Sequence, residues 1–387
     1  MVGFGYEFVH YNNSTFNRIE LGGVPATIDY TSDLFISKYS VFSQLNKNFF
    51  NDRLGLSLGL RSDVSDYSSS LLNPLDQISP VLSARFVISE KWSFNSSIGR
   101  FHQLPAYTIL GYRNTNGDLV NKENNIKYIR ADHYVAGLEY LTEKDSRLTV
   151  EGFFKNYTRY PFSLKDSISL ANLGSDFGII GNEEISSIST GRSYGAEFLY
   201  QQKLYKGYYG IVAYTFVTSE FKDKNDQYVA SSWDSRHSVS LTGGKRFKKG
   251  WEIGLRWLFS TGAPYTPYDI ATSSLKQVWD LRGQGVLDYD LLNTERESSF
   301  HQLNFRVDKK IYLQKINMDF YLDIQNLYGY KTTVAPTLLL QKDDQGNPLT
   351  DPNDPNSYLT KQVANTSGIV QPTIGVVIEF TTKKKIK

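Results

Sequence analysis

The chain has 387 residues, with 42 Lys+Arg against 40 Asp+Glu, no Cys, and 14% aromatic residues, among them 27 Tyr, 23 Phe and 5 Trp. A net charge of +2 lacks the clustered basic excess that nucleic-acid binding requires. The absence of Cys excludes disulfide frameworks, thiolate zinc sites and cysteine nucleophiles, and it suits an exported protein.

Met1 to Tyr11 has no basic n-region, no continuous apolar run and no small-residue cleavage site, so it reads as a strand and not as a signal peptide. No stretch approaches 18 uninterrupted apolar residues, so no transmembrane helix is expected. Period-2 alternation recurs down the chain. Leu54, Leu56, Leu58 and Leu60 share one face, with Gly55, Ser57, Gly59, Arg61 and Asp63 on the other. Trp251, Ile253, Leu255, Trp257 and Phe259 alternate with Glu252, Gly254 and Arg256. Leu303, Phe305 and Val307 repeat the pattern, and so do Met318, Phe320, Leu322 and Ile324. A soluble sandwich would also alternate. Long strands, polar faces carrying runs of small and charged residues, and aromatics at strand ends (Tyr39, Trp92, Tyr140, Tyr209, Trp251) favour an all-β, transmembrane, antiparallel up-and-down β-barrel.

Short turns are expected near Asn51-Asp52, Glu90-Lys91, Glu143 to Ser146, Tyr205 to Gly207, Lys248 to Gly250 and Gln314. Between them, long polar stretches occupy 12–37, 67–78, 104–127, 161–187, 221–232, 262–297 and 332–371. The rhythm gives roughly fourteen strands with long loops all at one end, and an even count places both termini at the short-turn end, facing the periplasm. Leu338 to Thr366 reads as a solvated loop; its Asp and Asn run is the alternative of a calcium site, but the spacing fails the EF-hand template. Residues 1–380 read as one architectural unit, and 381–387 as a basic periplasmic tail.

Several segments resemble the barrel of TonB-dependent outer-membrane receptors. Ser79 to Phe86, Lys91 to Phe94 and Ser97 to Pro105 are similar to that family's strand, turn, strand run ending in Pro. Gly191 to Glu197 (GRSYGAE) resembles its Gly-x-x-x-Gly-x-Glu strand start, and Trp233 to His237 its Trp-Asp-x-Arg-His segment. Ser260 to Pro267 resembles the segment that follows the family's next strand, Leu322 to Tyr328 its penultimate strand and Ile374 to Phe380 its closing strand, all in the family's order. Two departures are small: Phe380 is followed by Thr381 to Lys387, and Val81 stands where the family commonly has Arg. A larger one is that the family starts with a signal peptide, an energy-coupling box and a plug, and closes about 22 strands. The chain therefore resembles the C-terminal part of such a barrel, as an incomplete gene or fragment would.

The resemblance implies energy-dependent uptake of a scarce, bulky solute: a ferric chelate, a cobalamin or an oligosaccharide. It implies as partners outer-membrane lipid, the missing plug, the inner-membrane TonB complex and an extracellular solute, in a Gram-negative outer membrane. A self-contained passive porin of about fourteen strands is the alternative, and a soluble binding module a third. Asp132-His133 could suggest a hydrolase pair, but no Gly-x-Ser-x-Gly elbow accompanies it, so no enzyme is expected. The five histidines form no metal-ligand pattern, and no cofactor or metal is expected. Mixed charges on the polar faces suggest cross-strand pairs in a wet lumen. Candidate ligand contacts, from loops and mouth, are Tyr107, Tyr112, Tyr160, Tyr228, Trp233, Arg236, His237, Tyr265 and Tyr268, by aromatic stacking or charge.

Overall fold

The computed structural model describes residues 1–21, 24–143, 146–173 and 182–380, so the basic tail expected at 381–387 lies outside the described residues. Among these, fourteen strands form one continuous antiparallel path, each paired with the next. They are β1 (Val2–Leu21), β2 (Val24–Phe49), β3 (Leu54–Ser65), β4 (Ile78–Val87), β5 (Trp92–Gln103), β6 (Ile129–Leu141) and β7 (Ser146–Ser163). The path continues with β8 (Ile185–Tyr205), β9 (Tyr208–Lys222), β10 (His237–Arg246), β11 (Trp251–Ser260), β12 (Phe300–Tyr312), β13 (Ile316–Gln325) and β14 (Gln371–Phe380). Val2 pairs with Ser43 near the Asn51 turn and Phe380 with Ile316 near the Gln314 turn, so both ends of the path lie at the short-turn end. β1 and β14 each have one strand neighbour, which leaves the sheet an open wall.

Register decides what each face carries, because a side chain and its directly opposed partner project to the same side. Leu45, Leu58, Leu82, Ile98, Tyr134, Phe154 and Tyr194 are successive partners across seven strands. These apolar groups are open to the surroundings, with Leu58 54%, Leu82 48% and Ile98 52% exposed. A soluble sandwich would cover such a band, whereas the strands of a membrane barrel present one outward. Trp92 packs on Tyr140 at 4.7 Å at the short-turn border of this face, where an interfacial aromatic belongs.

The opposite face holds charges in pairs. Glu252, only 8% exposed, accepts hydrogen bonds from Lys310 Nζ (2.8 Å) and Tyr209 OH (2.7 Å) and lies 3.3 Å from Arg246. Arg306 pairs with Asp308 at 2.7 Å and reaches Asp323 at 3.8 Å, while Arg61 Nε donates to Asp63 at 2.7 Å. Tyr209 therefore belongs to the polar face and not to the interfacial aromatics expected from its place at a strand end; its ring lies across Gly244, where a Cβ would sit 2.5 Å from its hydroxyl.

Two expected loops are largely sheet. Within 12–37, β1 and β2 stay paired from Tyr11↔Leu34 to Leu21↔Val24, because Asn, Ser and Thr that resemble turn residues here alternate within a satisfied hydrogen-bond ladder. Within 332–371, Thr332–Leu340 pairs with Thr360–Ser367, and Thr350–Asp351 with Asp354–Tyr358 at the tip. Pro336 sits at a register shift between Val334 and Thr337, the place in a ladder where a residue without N–H is tolerated.

Candidate functional site

At the end opposite the short turns, the connections fold back over the polar face and interlock in two clusters. The first is apolar. Leu34 and Ile36 of β2 pack with Tyr67, Leu71, Ile109, Leu110, Ile126 and Tyr128 from the connections that follow. Its polar clasp is Asn121, fully buried: Nδ2 donates to the Ile109 carbonyl (2.8 Å) and the Glu183 carbonyl (2.9 Å), and Oδ1 accepts from Ile185 N–H (2.9 Å). One side chain thus ties the 104–127 connection to the start of β8. Glu183 is itself sheltered, so burial pushes its carboxyl above its ordinary value of 4.5, against the opposing hydrogen bond from the Ser163 hydroxyl. A raised acid stabilises the fold fully below its unfolded pKa, and that contribution is lost as pH rises through the folded value. Glu183→Gln, a mimic of the protonated acid, should therefore raise the thermal midpoint at pH 7 above wild type and lose that advantage at pH 4.

The second cluster is aromatic. Phe221 of β9 is fully buried between Tyr157 (5.4 Å between centroids), Tyr160 (4.8 Å) and Trp233 (6.0 Å, edge-on). The close seat requires Gly191, where a Cβ would fall 2.3 Å from the Phe221 ring. Gly195 is needed for a different reason: a Cβ there would meet the Phe216 carbonyl oxygen at 2.0 Å. The two glycines of the GRSYGAE segment are thus explained by close approach of side chain and backbone. Gly191→Val should displace Phe221 and cost about 1–3 kcal/mol, read as a lower denaturant midpoint.

Beside this cluster Asp234 is 1% exposed. Its Oδ1 accepts from Ser219 N–H at 2.8 Å and its Oδ2 from Arg296, while Arg296 Nη1 donates to the Asp234 carbonyl at 2.7 Å and the Gly262 carbonyl at 3.1 Å. Asn293 donates to the carbonyls of Asn172 (2.9 Å) and Ala230 (2.8 Å), so three connections meet at one amide.

The nine sequence candidates divide by face. Tyr160 and Trp233 come together at 6.5 Å, with Trp233 Nε1 donating to Ser219 Oγ at 3.2 Å and 41% of the residue left open. Arg236 stands next to them, 56% exposed and 3.6 Å from Asp234. Tyr107, packed against the first cluster, stacks on Tyr11 at 5.7 Å and accepts from Lys38 Nζ at 3.0 Å; Tyr112 meets Tyr30 edge-on at 5.9 Å. Tyr265 lies in a short strand pair with Glu295, and Tyr268 covers Gly285. Two candidates point to the apolar face. His237 is opposed to Phe216 and stacks on Tyr214 at 6.1 Å, and Tyr228 lies under Arg192 at 4.0 Å. Sequence reasoning missed Asp234 as an anchor and Arg296 altogether; the Trp-Asp-x-Arg-His segment pointed to the first, but nothing local marked the second.

Among the described residues no group of three or more His, Asp or Glu could hold a metal ion. The carboxylates of the 343–356 segment turn back on their own backbone: Asp343 accepts from Asn347 N–H (2.7 Å), Asp351 from Asn353 N–H (2.8 Å) and Asp354 from Asn356 N–H (3.0 Å).

An antiparallel wall with one open apolar face, one charge-paired face, tight turns at one end and interlocked loops at the other defines an outer-membrane-type β-barrel wall. The chain matches the family described as TonB dependent receptor-like, beta-barrel, over residues 2–327, and it belongs to that family of Gram-negative outer-membrane receptors and transporters. No curated protein sequence matches it. Its fold is similar to that of the ferric-catecholate import receptor Fiu from Escherichia coli (10% identity, TM-score 0.59), covering 98% of this chain and 52% of that one. It is similar also to the ferripyoverdine receptor of the outer membrane of Pseudomonas aeruginosa (13%, TM-score 0.57, covering 97% and 45%) and to the siderophore receptor PiuA from Acinetobacter baumannii (12%, TM-score 0.58, covering 98% and 52%). The chain spans about half the length of these receptors.

Proposed function

We propose that the chain forms the wall and outer loops of an outer-membrane receptor that imports a ferric chelate, with a plug in its lumen and energy delivered by the TonB complex. The observation that carries this reading is the rim formed by Trp233, Tyr160 and Arg236 on a floor fixed by Asp234 and Arg296. A ferric chelate presents flat organic ligands and negative charge, which an open indole and an underpaired guanidinium match by stacking and Coulomb attraction. Tyr107, Tyr112, Tyr265 and Tyr268 lie apart from this rim, in the other outer connections, whereas Tyr228 and His237 serve the apolar face. Three similar structures are themselves receptors for iron chelates by name, which favours this solute over a cobalamin or an oligosaccharide.

The passive porin is the weaker reading, because the outer edges of β1 and β14 carry unpaired N–H and C=O groups that lipid does not satisfy, at several kcal/mol each. The similar receptors are about twice this length. Capture by the rim would be followed by rearrangement of the plug, and the wall's charge pairs, such as Glu252 with Lys310, would hold the lumen shape while it moves. Trp233→Ala with Arg236→Ala is expected to weaken chelate binding about tenfold or more, measured by titration of the purified protein with catecholate, hydroxamate and citrate complexes of iron. Unchanged affinity for every chelate that binds would remove the rim from the mechanism.

A further inference from the structure

Directly above the apolar band, on the same face, the wall carries a belt of arginines that the receptor reading does not use. Arg100, Asp132, Asn156, Arg192 and Glu220 are successive partners across β5, β6, β7, β8 and β9. Each of the first four lies two residues beyond an apolar group of the band: Ile98, Tyr134, Phe154 and Tyr194 respectively. Arg100 Nε lies 2.6 Å and Arg130 Nη2 2.9 Å from the one carboxylate of Asp132, which is 15% exposed. Arg159 joins Arg100, Arg130 and Asp132 among the charges that act on His102, two residues on from Arg100. Arg159 is further held by a hydrogen bond to the Asp76 carbonyl at 3.4 Å. Next along, Arg192 bonds Glu220 at 2.5 Å and stacks on Tyr228 at 4.0 Å.

Two guanidiniums sharing one carboxylate keep donors to spare, and Arg100 is 39% exposed toward the surroundings. Guanidinium forks match phosphate oxygens with two parallel hydrogen bonds. A soluble solute has no reason to bind beside exposed Ile98 and Tyr134, but a lipid has: its chains cover the band while its headgroup reaches the belt. We propose that Arg100, Arg130 and Arg159, flanked by Arg192, bind the phosphate of a lipid in the outer leaflet. The site rests on the outer-membrane reading above. It accounts for why Tyr228 faces away from the mouth, since it supports Arg192 from that side.

The test uses the full chain purified in neutral detergent, titrated with a glucosamine-based lipid bearing phosphate monoesters and with the same lipid after enzymatic removal of its phosphates. The phosphorylated lipid should bind at least about tenfold more tightly, and R100Q/R130Q should abolish the difference while leaving the phosphate-free lipid unaffected. Arg85→Gln, on the opposite face, should change neither. If R100Q/R130Q does not fold by near-ultraviolet circular dichroism, the wild-type comparison of the two lipids decides alone. Equal wild-type affinity for both lipids overturns the proposal, as does displacement of the phosphorylated lipid by equimolar inorganic phosphate, which would mark a soluble-anion site. Recovery of the chain from the aqueous phase without detergent overturns the membrane reading itself. A null lipid result with detergent-dependent protein overturns this site only.

Discussion

Asp234→Ala is expected to destabilise the protein by about 3–5 kcal/mol, the cost of leaving a buried charge without its partner. Asp234 is 1% exposed and takes part in three contacts at once: Ser219 N–H, Arg296 and, more distantly, Arg236. Truncation strands the Arg296 guanidinium over the Gly262 carbonyl and frees the Ser219 amide, so the 221–232 and 262–297 connections lose their joint anchor. Asp234→Asn keeps an acceptor for Ser219 and should cost less. Combining Asp234→Ala with Arg296→Met should cost less than the two single changes added together, because the second removes the charge that the first leaves unpaired. Denaturant unfolding in detergent micelles measures all four; strictly additive losses would show that the two groups are not coupled. Chelate affinity should fall with Asp234→Ala even though Asp234 itself is covered, since Trp233 and Arg236 depend on its position.

The second large effect is Leu82→Arg. Leu82 sits midway along β4, opposed on both sides by Leu58 and Ile98, and 48% open. If that face meets hydrocarbon, a guanidinium there costs about 2–4 kcal/mol. Ser83→Arg, one residue on, faces the polar side beside Ser97, 3.0 Å away, and should cost less than about 1 kcal/mol. The contrast between adjacent residues is the diagnostic quantity, measured as unfolding free energy in lipid vesicles. Equal costs, or a larger one at Ser83, would mean that the face assignment is inverted.

The wall was largely legible because a strand with one face in lipid and one in a charged lumen must alternate, and period 2 survives any choice of side chain within each class. Short turns were legible for a related reason: at Lys206-Gly207 both residues adopt left-handed backbone, which marks a tight hairpin. The ends of strands were less so. The β1–β2 extension past Tyr11 is rich in Asn, Ser and Thr, and nothing in its composition separates a ladder in water from a loop. The Thr332–Leu340 hairpin was obscured by Pro336 and by the Asp and Asn residues at its tip. At the mouth, Arg236 and His237 are neighbours in sequence, yet period 2 sends them to opposite faces, so proximity along the chain misled where register would have decided. Arg296 was invisible because its partner is 62 residues away.

The central claim is that this wall serves energy-dependent import across an outer membrane. The most direct measurement is uptake of radiolabelled iron chelates by iron-starved Gram-negative cells expressing the gene that encodes this chain, with the TonB complex intact or deleted. The account predicts that one class of chelate accumulates only in the cells that retain the complex, and that W233A/R236A reduces this uptake by raising the half-saturating concentration. Uptake that persists undiminished without the complex, or ion conductance from the 387-residue product alone, would contradict it and favour a passive channel.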